Sequence, residues 1–154
     1  SRALGDVEIS SGNVKLAMSH VVPDLVQKIL RGQNPLHILG SGEQVRHYTY
    51  GKDLARGIRL SLDNPNALNN DFNLSTPLGH TVIELAEIIW GKINGTTNPL
   101  EIVHDQGFEH DVKMRVPSTT KAKELLGFEA NTDLEEMLDE VIPWIRKAIE
   151  DGAI

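Results

Sequence analysis

The sequence predicts a mixed α/β fold. Short β-forming runs at 36–39, 45–50, 71–75 and 100–104 alternate with segments whose apolar residues recur at helical spacing. The pattern gives short strands with about five helices, and cap and stop residues bracket most of the helices. No internal repeat, low-complexity tract or long linker divides the chain. Its 154 residues are read as one domain, 1–154, long enough to bury a core.

Residues 1–18 carry little pattern beyond the turn chemistry of Ser10-Ser11-Gly12-Asn13. The first helix is expected from Ser19 as N-cap, with Pro23 in the first turn and Gly32 as its stop. Val22, Leu25, Val26, Ile29 and Leu30 form its apolar stripe. After Pro35 comes a β run, Leu36 to Leu39, then a glycine turn (Gly40, Gly42) and a second run, Val45 to Tyr50. Gly51 passes into a helix on which Leu54, Ala55, Ile58 and Leu62 repeat at helical spacing, closed by Asn64-Pro65. Asp71 to Ser75 reads as a brief strand.

Thr81 and Glu84 form a capping box for a helix through Ile93, stopped by Asn94-Gly95. Leu100 to His104 is another β run. Ser118 or Thr119 starts a helix ending at Gly127. Thr132 with Glu135 is expected to cap the last helix, which runs to about residue 150 with Leu134, Leu138, Val141, Ile145 and Ile149 on one side. Pro143 inside it should kink the helix, at a cost of about 3 kcal/mol that packing offsets.

Composition narrows the function. Apolar residues make up 40% and charged residues 24%, as in ordinary soluble proteins. A net charge of −7 argues against a general nucleic-acid partner. The absence of cysteine excludes disulfides, thiolate metal sites and cysteine nucleophiles. No apolar stretch suggests a membrane span and no signal peptide is visible, so the cytoplasm is the default expectation.

The stretch 40–58 carries the chemistry. Arg46 and Tyr48, two apart in a β run, should share a face just after the glycine turn. A guanidinium fork beside an aromatic ring suits an anionic, ring-bearing ligand such as a nucleoside diphosphate, although an exposed cross-strand pair is the plainer reading. Tyr48 and Lys52 have the Tyr-x-x-x-Lys spacing of a catalytic pair, but Gly51 breaks the helical register that spacing needs, so the match is read as chance. His104-Asp105 and His110-Asp111 lack further ligands at metal spacing and are read as hydrogen-bonded histidines. Asp111 offers a carboxylate to sugar hydroxyls and Arg115 a cation to phosphate; the alternative is a solvated charged loop. No Gly-x-Gly-x-x-Gly or Walker loop occurs.

Four segments in order resemble the C-terminal, substrate-binding part of the NAD-dependent epimerase/dehydratase family, the extended short-chain dehydrogenases that act on nucleotide sugars. They are Ser19 to Pro23; Leu36 to Gly42 with Arg46 to Tyr50; Phe72 to Ser75 with Thr81 to Ala86; and Ser118 to Glu129. The resemblance implies that His20, Val21, His37 and Leu39 flank the nucleotide base, with Val82 bordering the nucleotide. It implies that Arg46 binds the diphosphate with Tyr48 beside it, and that Asp111 reaches the ribose. The second phosphate-binding arginine of many members is missing from 107–110; either Arg115 substitutes for it or the nucleotide is held more weakly. Lys52 stands where the family usually has an aspartate.

The resemblance further implies that the Rossmann half, with its NAD loop and catalytic Tyr-x-x-x-Lys, precedes residue 1 in the family. The chain by itself is then expected to bind no NAD, hold no catalytic residue and no metal, and be inactive. Its expected partners are a nucleotide sugar and the Rossmann half. The alternative is a non-catalytic interaction module whose exposed apolar face is covered by a partner or by self-association.

Overall fold

The computed structural model describes residues 20–107 and 112–154. In chain order these form α1 (Val21–Leu30), β1 (Leu36–Leu39), β2 (Val45–Arg46), α2 (Gly51–Asp63), a 3-10 turn (Pro65–Ala67), β3 (His80–Thr81), α3 (Val82–Asn94), β4 (Ile102–Asp105), α4 (Thr120–Leu126) and α5 (Leu134–Glu150). This is the mixed α/β architecture expected, with five α-helices. The strands make two minimal sheets. β1 and β4 run parallel, Leu36 opposite Ile102 and Leu39 opposite Asp105. β2 and β3 run antiparallel, Val45 opposite Thr81 and Arg46 opposite His80.

So small a sheet is stable only if helices cover it. Alternation does this for β1: Leu36 and Ile38 are buried while His37 and Leu39 face outward. Leu36 and Ile38 join Leu25, Val26 and Ile29 of α1, Leu85 and Ile89 of α3, and Leu138 and Ile145 of α5 in the larger core. A smaller core gathers Ala122, Leu126 and Phe128, with Leu60, Phe72 and Leu74 packed against it.

Local signals set most helix ends. Thr81 and Glu84 close the capping box as expected, with Thr81 Oγ1 accepting from Glu84 N at 3.1 Å and Glu84 Oε2 from Thr81 N at 2.8 Å. Gly127 ends α4 in the left-handed conformation. α5 stays helical through Pro143.

Several expectations are corrected. The N-cap of α1 is His20, while Ser19 lies outside the described residues. α5 is capped by Asp133, whose carboxylate accepts from Glu136 N at 2.8 Å, and not by Thr132. Thr132 is taken by a distant partner: its N–H donates to Asp53 Oδ2 at 3.0 Å. β2 stops at Arg46, because the segment beyond it is tied by side chains. His47 Nδ1 meets Thr76 O at 2.9 Å, and Thr49 Oγ1 accepts from Thr76 N at 3.0 Å. Residues 71–75 form no ladder with any described strand. Their contacts are side-chain ones, such as Asn73 Nδ2 to Ser118 O.

α2 buries the opposite side from its apolar repeat. Asp53 and Gly57 are inward, while Leu54, Ile58 and Leu62 are 40%, 50% and 81% exposed. Gly57 lets the helix sit against the smaller core: a Cβ there would lie 2.9 Å from Phe128 Cε2 and 3.0 Å from both Leu74 methyls. Asp53 accepts from Arg56 Nη2 at 2.8 Å as well as from Thr132. Burial by itself would raise its pKa, but the bonds from Arg56 and Thr132 outweigh burial and leave it below the usual value.

Two outcomes follow for stability. Gly57→Ala gains helix propensity but forces overlap with Phe128 and Leu74, so urea unfolding should show a net loss of about 1–3 kcal/mol. Asp53→Asn should cost about 1–3 kcal/mol at pH 7 by weakening a buried charge-assisted network. Because the folded carboxyl titrates below 3.8, its contribution is complete above that pH and fades as pH falls through the lower folded value. The gap between wild type and Asp53→Asn in urea melts should therefore close in strong acid; a gap independent of pH would exclude a role for the charge.

Candidate functional site

A cavity of about 880 Å³ opens where β1 ends. That volume suits a small organic ligand. One wall is the start of α1, His20 and Val21 with Asp24, Leu25 and Lys28. Ile38 and Leu39 of β1 and the turn Gly40-Ser41 form another wall, and Val82 contributes from the start of α3. Val45 and Arg46 of β2 complete it with Gly107, Lys113 and Met114.

The glycine turn makes this geometry. Gly42 has φ +75°, and a Cβ on it would meet Ile38 Cδ1 at 2.6 Å and Ile83 Cγ1 at 2.7 Å. Its carbonyl accepts from Ile83 N at 3.2 Å, which ties the turn to α3. On the far side, Val45 N donates to Lys113 O at 2.9 Å, and Val45 forms a parallel bridge with Met114. The strand bearing Arg46 is thus held between α3 and the 113–114 segment.

Charge is unevenly committed around the cavity. Lys28 Nζ lies 2.7 Å from Asp24 and donates to His37 O at 3.1 Å, so that cation is neutralised in place. Arg46 donates from Nη1 to Val45 O at 2.9 Å. The Lys113 side chain makes no hydrogen bond or ion pair with another described residue. Glu43 is the remaining acidic group of the lining.

The residues expected to form a site fall into groups. His20, Val21, Leu39, Arg46 and Val82 converge on the cavity. His37 stands behind it, its Nδ1 3.0 Å from Asp105 Oδ1, and contributes through its carbonyl to Lys28. Tyr48 remains close to Arg46 but packs against the larger core and is not part of the cavity lining. Its hydroxyl is buried without a partner among the described residues. Burial pushes its pKa up to about 12, with Arg46 opposing weakly. Arg115 is exposed and outside the cavity lining, and Asp111 lies outside the described residues. Lys113, Lys28 and Gln44 line the cavity although the sequence reading assigned them no site role. Lys28 lies in the first helix and Gln44 beside Arg46, but nothing in the sequence separates Lys113 from its charged neighbours.

The Tyr48–Lys52 spacing is not a catalytic pair here. Lys52 donates to Glu140 at 2.8 and 3.0 Å, and Tyr50 bonds the same carboxylate. That engagement raises the Lys52 pKa, and the Tyr48 pKa moves up, opposite to what an acid/base tyrosine needs. His104 is engaged too, its Nδ1 2.9 Å from Gly40 O, while His110 lies outside the described residues. Among the described residues no three histidine or carboxylate side chains converge on a metal position, and no helix is long and apolar enough to cross a membrane.

Comparison with known proteins gives this site its context. The family model described as GDP-mannose 4,6 dehydratase matches residues 12–141. UDP-glucuronic acid decarboxylase 1 of Xenopus tropicalis is 33% identical over 133 residues, which are 86% of this chain and 30% of that protein. The structure of UDP-glucose 4-epimerase from Thermotoga maritima, determined with UDP-glucose, superposes with a TM-score of 0.72 at 33% identity, covering 84% of this chain and 40% of that one. MoeE5, solved with UDP-glucuronic acid and NAD, has a TM-score of 0.69 at 25% identity and covers 85% of this chain and 42% of its own. The chain spans 28–39% of the length of the curated relatives it matches. With the fold, the family match and these relatives in agreement, the chain belongs to the NAD-dependent epimerase/dehydratase family of nucleotide-sugar enzymes.

Proposed function

We propose that this chain is the substrate-binding portion of a nucleotide-sugar epimerase or dehydratase and grips the nucleoside diphosphate of the sugar in the cavity beside Arg46. The observation that carries the reading is the placement of Arg46. It stands on a strand fixed from both sides, in the lining of a cavity that also presents apolar surface from Val21, Leu25, Ile38, Leu39 and Val82. Apolar walls suit a base and ribose, and a guanidinium fork suits phosphate oxygens. The Thermotoga maritima enzyme solved with UDP-glucose shares the fold at 33% identity, which supports a UDP-sugar as the first ligand to try.

NAD fits the described residues poorly. A dinucleotide cradle needs a glycine-rich turn running from a strand into a helix, and here Gly40-Ser41-Gly42 leads from β1 into β2. In this reading NAD and the reacting tyrosine belong to a Rossmann half, and residues 1–154 are a substrate domain without catalytic residues. Binding energy from the non-reacting nucleotide then orients the sugar for the other half.

The exposed repeat Leu54, Ile58 and Leu62 on α2 favours a second reading, an interaction module that covers this face by self-association.

Two experiments separate the readings. Arg46→Ala should weaken UDP-glucose binding by about tenfold or more in calorimetry, the loss of a charge-assisted contact. Unchanged affinity removes Arg46 from the site. Ile58→Glu should leave UDP-glucose binding unaltered. If the second reading holds, it also abolishes concentration-dependent association in sedimentation velocity; a wild-type chain that sediments as a monomer at all concentrations rejects that reading.

A further inference from the structure

We infer that Lys113, and not Arg115, supplies the second positive charge for the bound phosphates. The inference rests on the reading of the cavity as a nucleoside diphosphate site and adds a residue to it. Two observations carry it.

The first is position. Lys113 lines the same cavity as Arg46, whereas Arg115, two residues on, does not. The placement is built into the backbone. Lys113 O accepts from Val45 N at 2.9 Å, one residue before Arg46, and Met114 bridges Val45 in parallel. The segment carrying Lys113 is thereby held beside the strand that carries Arg46.

The second is availability. Lys28, another lysine of the lining, is 2.7 Å from Asp24 and donates to a carbonyl. Lys113 is exposed and its side chain makes no hydrogen bond or ion pair with any described residue, so its ammonium can meet a ligand without breaking a contact among them.

A diphosphate ester carries two negative charges, and the Lys113 ammonium adds positive charge to the lining that also holds Arg46. Lysine fills such a role as a mobile point charge, leaving the forked contact to arginine.

The test is calorimetric titration of the 154-residue chain and its variants with UDP, GDP and uridine at several salt concentrations, with folding checked by circular dichroism. Lys113→Gln should lose about tenfold in affinity for the diphosphate that binds and show a shallower salt dependence. Its affinity for uridine should not change. Lys113→Arg should recover most of the loss, and Arg115→Gln should behave as wild type. The assignment is overturned if Arg115→Gln weakens diphosphate binding while Lys113→Gln does not. It is also overturned if Lys113→Gln weakens uridine and diphosphate equally, which would mark a structural role. If the wild-type chain binds neither UDP nor GDP, the reading of the cavity fails, and this assignment with it.

Discussion

One buried carboxylate joins the two halves of this structure. Asp53 sits on the inner side of α2, against the smaller core, and bonds the backbone just before α5, the helix that closes the larger core. Arg56 completes the joint. It bonds Asp53, reaches the carbonyl of Glu129, and lies 5.2 Å over the Phe128 ring. An unpaired carboxylate in that place would be costly, so α2 and the 129–132 segment dock together or not at all. Gly57, one turn along the same face, removes the side chain that would hold them apart.

The same economy of contacts shapes the cavity. Its walls come from elements distant in sequence, and backbone bonds hold them in place. Gly42 O holds the start of α3, Lys113 O holds β2, and Gly40 N holds the end of β4 through Asp105 O at 3.0 Å. Surface charges that could compete for a ligand are mostly neutralised elsewhere, as Lys52 is by Glu140 and Lys92 by Asp139. Such exposed pairs add little stability.

What could be read from sequence follows the range of the interaction responsible. The capping box at Thr81, the glycine stop at 127, the buried alternation of Leu36 and Ile38, and the apolar stripes of α1 and α3 are local, and the sequence displays them. Arg46, singled out after the glycine turn, does line the cavity. Other features were set at a distance. Thr132 looked like a cap until Asp53 claimed its N–H. β3 is two residues long and has no pattern of its own; it exists because β2 lies beside it. Tyr48 sits in line with Arg46, but β2 ends between them, so the ring turns to the core. Lys113 and Arg115 are indistinguishable by composition, and only the bond from Val45 sets one of them beside the cavity.

The pairing of β1 with β4 carries a consequence for how the protein is made. Leu36 and Ile102 are separated by about 66 residues, so the parallel pair closes a long loop, and such contacts form late and slowly compared with helices. The cavity opens at the end of that pair. Helices can therefore be present before any binding site exists, and helical content alone says little about whether the chain is competent. A ligand that fits the cavity recognises the completed topology, and its binding stabilises that state over every partly folded one by mass action. Any ligand bound there would thus report that the long β1–β4 loop has closed, which helical content does not.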